Sequence, residues 1–123
     1  MSKAATAARI FMGAAFLVTG LNGFFHFLPE PDLPPAARAF MGALVGSRYF
    51  MPLVMATQTV GGALLVTGLA VPFALVLLAP VLVNIVLFHL YLAPAGIIPG
   101  LVLSLCELFL ARAYWPKLRG LLG

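Results

Sequence analysis

Hydrophobic residues follow one another with few interruptions along most of this chain. Charged residues occur near its two ends and in one segment between them, and no Asp, Glu, Lys or Arg lies between Arg48 and Glu107. A soluble domain of this size could not cover its surface with so few charges. A lipid bilayer, in contrast, accepts uncharged segments of about 20 residues as spanning helices. The pattern therefore predicts an integral membrane protein.

Prolines and glycines divide the apolar sequence into four predicted spans, at about 7–28, 49–69, 72–93 and 99–115. The fourth is short for a span, since its residues 99–114 cover only ~24 Å of helix. Pro80 lies well inside the third span, where it removes the donor for the Val76 carbonyl and predicts a kink. We expect an all-α four-helix bundle that forms a single transmembrane domain over residues 1–123.

The segment between the first two spans has a pattern of its own. Ala37, Phe40, Met41 and Leu44 recur at helical spacing, with Arg38 on another face. We predict a short amphipathic helix at the membrane interface. A linker that buries the same residues against the mouth of the bundle is an equal alternative.

Composition narrows the function classes. The chain is 63% hydrophobic and 8% charged, against about 25% charged residues in an ordinary soluble domain, so there is no room for a soluble catalytic module. The net charge of +4 comes from scattered cations, which argues against nucleic-acid binding. The single cysteine, Cys106, excludes an internal disulfide and a CxxC redox pair.

Six polar residues interrupt the predicted spans and are the candidates for a ligand site: Asn22, His26, Gln58, Asn84, His89 and Glu107. Counted along the helices from the side that carries the 29–48 segment, the outer side, all six fall roughly 3 to 14 Å below the membrane boundary. Helices that alternate in direction have no general reason to agree in this way. We therefore predict a polar pocket in the outer half, with Glu107 at its floor, although His89 lies about 140° around the helix from Asn84.

Each of these residues also has a structural explanation, because polar side chains in a membrane hydrogen-bond to neighbouring helices. That explanation is favoured for Asn22, Gln58 and Asn84 taken individually. An ordinary interfacial histidine is equally consistent with His26. Glu107 favours a function, because it is the one acid within the spans and an acid is costly to place there.

Several stretches resemble the DoxX family of membrane proteins. They are PVLVNIVLFHLYLAPAG at 80–96, GLNGFFHFLP at 20–29, YFMPL at 49–53 and the Gly61-Gly62 pair. The resemblance implies a small bacterial four-helix protein of the inner membrane, some of whose relatives are subunits of thiosulfate:quinone oxidoreductases or partners of membrane redox enzymes. The motif positions that it carries over are Asn22, His26, Asn84 and His89. No catalytic residue, metal ligand or nucleotide motif comes with them.

The first hypothesis is a non-catalytic subunit or binder, not an enzyme on its own. Its pocket would hold a quinone, a lipid or another small lipophilic molecule, because imidazole, amide and carboxyl groups can hydrogen-bond quinone carbonyls. The alternative is a structural or assembly partner that binds no ligand. A less favoured alternative is a haem protein with His26 and His89 as axial ligands. Transport is disfavoured, because the inner half of the spans offers no ionisable relay.

Partners and orientation follow from the same pattern. The lipid bilayer is the expected environment, a membrane oxidoreductase subunit is a candidate partner, and Thr19 and Gly23 would let helices approach within a monomer or a homo-oligomer. The first span resembles a signal peptide but lacks a small-x-small cleavage site after it, so we expect it to remain. Five basic residues lie on the side of the termini and two on the other side: Lys3, Arg9, Arg112, Lys117 and Arg119 against Arg38 and Arg48. The positive-inside rule then places both termini in the cytoplasm.

Reporter fusions test this orientation. Green fluorescent protein fused after Gly123 is expected to fluoresce, and alkaline phosphatase at the same position to be inactive, because the C-terminus faces the cytoplasm. Alkaline phosphatase fused after Ser47 should instead be active. The reverse pattern would contradict the predicted topology.

Overall fold

The computed structural model describes residues 2–121 and 123, which form helices and short connections with no strand among them. Its elements are α1 (Lys3–Phe25), α2 (Pro35–Gly46), α3 (Phe50–Thr67), α4 (Val71–Tyr91), a 3-10 turn (Pro94–Gly96), α5 (Ile97–Ala113) and α6 (Trp115–Leu121). The all-α class predicted from the sequence is confirmed.

Four segments are long and apolar enough to cross a membrane: Lys3–Phe25, Phe50–Thr67, Val71–Tyr91 and Pro94–Ala113. The last is longer than the sequence predicted. The 3-10 turn leads directly into α5, so Pro99 lies inside the first turn of the helix and not at its start. The joined segment has 20 residues, the length that a bilayer requires of a helix.

The four long helices form a ring in which α1 contacts α3, α3 contacts α4, α4 contacts α5, and α5 returns to α1. We call the end of the ring that carries α2 the α2 end, and the opposite end, with α6 and the start of α1, the terminal end. The apolar core lies inside the ring, and its largest fully buried side chains are Phe16, Met12, Leu65, Leu75, Leu78 and Leu110.

The closest pair in the ring is α1 with α3, because glycines let the two backbones touch. A Cβ atom added to Gly13 would lie 2.8 Å from both the Leu65 Cβ and the Val66 backbone nitrogen. At Gly62 an added Cβ would meet the backbone of Leu17. Small residues serve this purpose in membrane helices, where van der Waals packing drives association.

The ends of α1 and α3 are fixed by side chains. At the α2 end, α1 stops at Phe25, before the prolines that follow, because His26 adopts a left-handed conformation (φ 52°) and the Asn22 Oδ1 accepts the Leu28 N–H at 2.7 Å. At the terminal end, the Arg9 Nη1 donates to the Leu65 carbonyl at 2.5 Å. Arg9 thus satisfies a carbonyl in the last turn of α3 and joins α1 to it.

The short helix α2 buries the face that the sequence pattern defined. Ala37 is fully buried, and Phe40, Met41 and Leu44 are partly buried. The Phe40 ring lies 5.8 Å from the Phe88 ring of α4, centroid to centroid. The helix predicted between the first two spans is therefore present, and its apolar face packs against the bundle.

A methyl group at the α1–α3 contact tests its tightness. We expect Gly13→Ala to lower the free energy of unfolding by about 1–3 kcal/mol, as overpacked sites do, because the facing atoms are backbone and Cβ atoms of α3. The matched control is Gly42→Ala in α2, where an added Cβ meets no atom within 4 Å. Thermal unfolding in detergent measures both, and a Gly13→Ala variant as stable as the control would contradict the contact.

Candidate functional site

The six candidate polar residues lie in separate environments and not in one pocket. Asn22 and His26 are at the α2 end of α1, Gln58 lies between α1 and α3, and His89 packs on the 3-10 turn. Asn84 faces outwards from α4, and Glu107 lines a groove beside α4. The polar pocket predicted from depth alone therefore divides into local sites, which differ in what they can bind.

Gln58 is the single buried polar residue among those the structure describes, with 6% of its surface exposed. Its Oε1 lies 3.0 Å from the Thr19 hydroxyl of α1, which is also 2.8 Å from the Ala15 carbonyl. The hydroxyl has one proton to donate and can share it between these acceptors. Gln58 is thus hydrogen-bonded inside the protein, at the contact between α1 and α3 that the glycines make possible.

Asn22 and His26 also make hydrogen bonds that involve the backbone at the end of α1. The Asn22 side chain accepts the Leu28 N–H, and the His26 N–H donates to the Asn22 carbonyl at 2.8 Å. The imidazole of His26 is exposed at the end of the helix. Together these contacts terminate α1 and start the extended segment that leads to α2.

His89 connects α4 to the turn that follows it. Its Nδ1 lies 3.2 Å from the Ala93 carbonyl oxygen, so an Nδ1 proton donates to that carbonyl. The ring covers Gly96, where an added Cβ would lie 2.9 Å from the same nitrogen. The His26 imidazole, by contrast, is exposed just beyond the end of α1, so the two rings lie in different surroundings. This arrangement does not fit a haem held between the two histidines.

Asn84 is exposed on the outside of α4. Within the described residues its amide makes no hydrogen bond. It shares this face with Pro80 and Tyr91, as the helical spacing in the sequence indicated. The amide therefore points away from the bundle core, towards whatever surrounds the protein.

Glu107 occupies an apolar groove between α4 and α5 that α6 closes at the terminal end. The groove has a volume of about 390 Å³. Apart from Glu107, its walls are Leu75, Val76, Ala79, Pro80, Val83 and Leu118. The Oε1 of Glu107 is buried there and has no hydrogen-bond partner among the described residues. A polar atom buried in this way is costly unless a partner is supplied.

Glu107 lies further from the α2 end than the sequence suggested. The helix begins before Pro99. All the α4 walls of the groove except Val83 come from the half of α4 that starts at Val71, and Leu118 belongs to α6. Glu107 is six residues from Ala113, or ~9 Å along the helix. It is therefore separated from His89 and Asn84, which are nearer the opposite end of α4.

Sequence reasoning missed the part that Arg9 plays. Its position near a membrane boundary explained the charge, and nothing in the sequence pointed to the end of α3 as its partner. The structure places the guanidinium against Leu65, Val66 and the left-handed Gly68. In residues 2–121 and 123 there is no group of three or more His, Cys, Asp or Glu side chains that could hold a metal ion.

These four apolar helices, closed in a ring, define a small multi-pass membrane protein. The family model described as DoxX matches residues 4–91. The chain therefore belongs to the DoxX family, as its motifs indicated. No curated protein and no solved structure matches it. The matched range holds five of the six candidate residues, and α5 with Glu107 follows it.

A double-mutant cycle on Thr19 and Gln58 tests whether their contact is structural. We expect Thr19→Val and Gln58→Leu to be coupled by about 0.6 kcal/mol, and by no more than ~1.7, the range found for hydrogen bonds between membrane helices. Unfolding in detergent gives the four stabilities. The control is Thr67→Val, which removes a hydroxyl bonded to Ala63 of its own helix and should show no coupling to Gln58→Leu. Zero coupling for Thr19 as well would contradict the structural role.

Proposed function

We propose that this DoxX-family protein is a non-catalytic membrane subunit or binder, and that its ligand is a lipophilic molecule with a hydrogen-bonding head group, such as a quinone or a lipid. The ligand would lie in the Glu107 groove. The observation that carries the proposal is the buried Glu107 Oε1, which has no partner among the described residues. A head group that hydrogen-bonds to this carboxyl would remove the cost of leaving it unpaired.

The shape of the groove supports a ligand that arrives from the bilayer. Val76 and Val83, two of its walls, are 49% and 59% exposed on the outside of the bundle. The groove is therefore open to the side, where lipid tails and quinones diffuse. Its volume of about 390 Å³ falls within the range of roughly 300–1,000 Å³ that small-molecule sites occupy.

Pro80 adds a second polar group to the same groove. Because proline has no N–H, the Val76 carbonyl receives no hydrogen bond from residue 80. Val76, Pro80 and Glu107 all line the groove. The protonated Glu107 carboxyl can donate to a carbonyl oxygen of a ligand, and the Val76 carbonyl can accept from a ligand hydroxyl. The pair suits a molecule with a polar head group on an apolar body. With one ionisable side chain, the groove gives no reason to propose catalysis.

A structural or assembly partner without a ligand is the second candidate function. It is favoured by the way in which the chain uses its other polar residues. Gln58 and Asn22 are bound within the protein, and Asn84 is exposed on the outside of the bundle, where another protein would contact it. Association with a membrane oxidoreductase, which the family implies for some of its members, belongs with this candidate as well.

The proposed location is the bacterial inner membrane with both termini in the cytoplasm. The support is the excess of basic residues at the terminal end. With this orientation the Glu107 groove opens into the cytoplasmic half of the bilayer, because Leu118 of α6 forms one of its walls. The α2 end then faces the periplasm.

Photolabelling tests the ligand proposal. A short-chain azidoquinone and a diazirine-bearing phospholipid, each added to the protein in nanodiscs, distinguish the two ligand sources. We expect one of them to label peptides from residues 75–83 or 101–112. The substitution Glu107→Leu should reduce this labelling roughly tenfold, because a hydrogen bond to a buried group contributes on the order of 1.4 kcal/mol. Glu107→Gln should retain more of it, since an amide still donates and accepts.

The control for the carboxyl substitution is Glu30→Leu in the exposed segment before α2. It makes the same chemical change away from the groove and should leave labelling intact. If Glu107→Leu folds, as thermal unfolding would show, and labels as strongly as Glu30→Leu, the groove does not bind through its carboxyl. Labelling confined to other helices would reject the site as well.

A further inference from the structure

The exposed amide of Asn84 lacks a partner at a depth where a membrane offers few. Asn84 lies seven residues before Tyr91, the last residue of α4, which is ~10 Å along the helix. Its side chain is exposed, and no residue that the structure describes hydrogen-bonds to it. Hydrocarbon cannot supply the missing bonds, so an amide at this position favours contact with another polar group.

The residues around Asn84 repeat with the spacing of a coiled coil. Steps of four and three residues alternate along α4 through six positions, which we call the α4 seam: Phe73, Leu77, Pro80, Asn84, Leu87 and Tyr91. All are exposed except Leu77, which is partly buried. A 3.5-residue repeat keeps one stripe of a helix facing a partner helix along its whole length. The stripe runs along nearly all of α4 and faces away from the bundle core.

We propose that the α4 seam is the interface with a second copy of this chain. In a two-fold dimer whose axis is perpendicular to the membrane, each seam residue meets its own counterpart at the same depth. A carboxamide carries both donors and an acceptor, so two Asn84 side chains can hydrogen-bond to each other across the axis. A single asparagine in an otherwise apolar seam fixes the register and the number of helices that associate.

The chemistry of the seam favours a second copy over other occupants. It has no charged residue, so nothing in it selects a partner of opposite charge. Lipid tails would cover its apolar residues but leave the amide unpaired. The exposed face of α5 has no polar side chain from Leu101 through Leu105 to Leu108, and lipid satisfies that part. Its one exposed polar residue, Arg112, lies in the last turn of the helix, at the terminal end.

The dimer does not depend on a ligand in the Glu107 groove. Pro80 belongs to both surfaces, so the groove lies beside the seam and the two are neighbours. Labelling measures what the Glu107 carboxyl binds, whereas cross-linking and energy transfer measure the association of two chains. Two chains can therefore associate when the groove holds no ligand, and the groove can hold a ligand in a monomer.

Cysteine cross-linking in liposomes tests the seam with Asn84 intact. On a Cys106→Ser background, which removes the one natural thiol, Leu87→Cys is expected to form a disulfide-linked dimer under mild oxidation. Leu105→Cys on α5, which is 67% exposed, is the matched control and should remain monomeric. Equal cross-linking at the two positions, or none at Leu87→Cys, would overturn the proposal.

Energy transfer between labelled chains then tests the role of the amide. Energy transfer is measured as the protein-to-lipid ratio is varied. The substitution Asn84→Leu should raise the dissociation constant of the dimer about threefold, which corresponds to an average hydrogen bond between membrane helices. Asn84→Gln should restore most of the association because it keeps the amide. A wild-type chain that stays monomeric at every ratio, surrounded by lipid alone, would overturn the interface. An Asn84→Leu variant that dimerises like wild type would overturn the part assigned to the amide.

Discussion

The absence of water from the bilayer core is the constraint on which this structure depends. Every polar group in the four long helices must find a partner inside the protein or remain costly. The chain meets this demand in most places. The Gln58 side chain accepts a hydrogen bond from the Thr19 hydroxyl of α1, and the Arg9 guanidinium donates one to the Leu65 carbonyl in the last turn of α3. The buried carboxyl oxygen of Glu107 and the exposed amide of Asn84 are exceptions among the described residues, since neither has a hydrogen-bond partner there.

The ring is unequally held together. Contact between α1 and α3 is the most extensive, with glycines, the Thr19–Gln58 bond and Arg9 all on one pair of helices. In contrast, α5 has just Gly100 and Leu110 buried and exposes much of its apolar surface. The pair α1 and α3 is the more tightly packed side of the ring, and the Glu107 groove lies on the side that packs less tightly.

The sequence predicted the helices better than it predicted the site, for a physical reason. The lengths of the uncharged segments and the positions of the prolines determine where a chain can span a membrane. The helical spacing of Ala37, Phe40, Met41 and Leu44 likewise indicates which face of α2 packs against the bundle. Whether polar residues meet, however, depends on the rotation of each helix and on its true starting point. The sequence predicts the depth of Glu107 from its distance to Pro99, but the helical segment begins earlier, at the 3-10 turn. Equal depth along four helices also carries no information about which face each helix turns inwards, and Asn84 faces outwards.

The link between Arg9 and the end of α3 has a consequence for the order in which the protein assembles. A ribosome makes α1 first, and the Leu65 carbonyl that accepts from Arg9 lies 56 residues later in the chain. Until that segment leaves the ribosome, the guanidinium has no partner in the chain and stays hydrated at the membrane surface. The arrival of α3 then fixes the first span in place. Chain order thus allows α1 and α3 to complete their contact before α4 and α5 have been made.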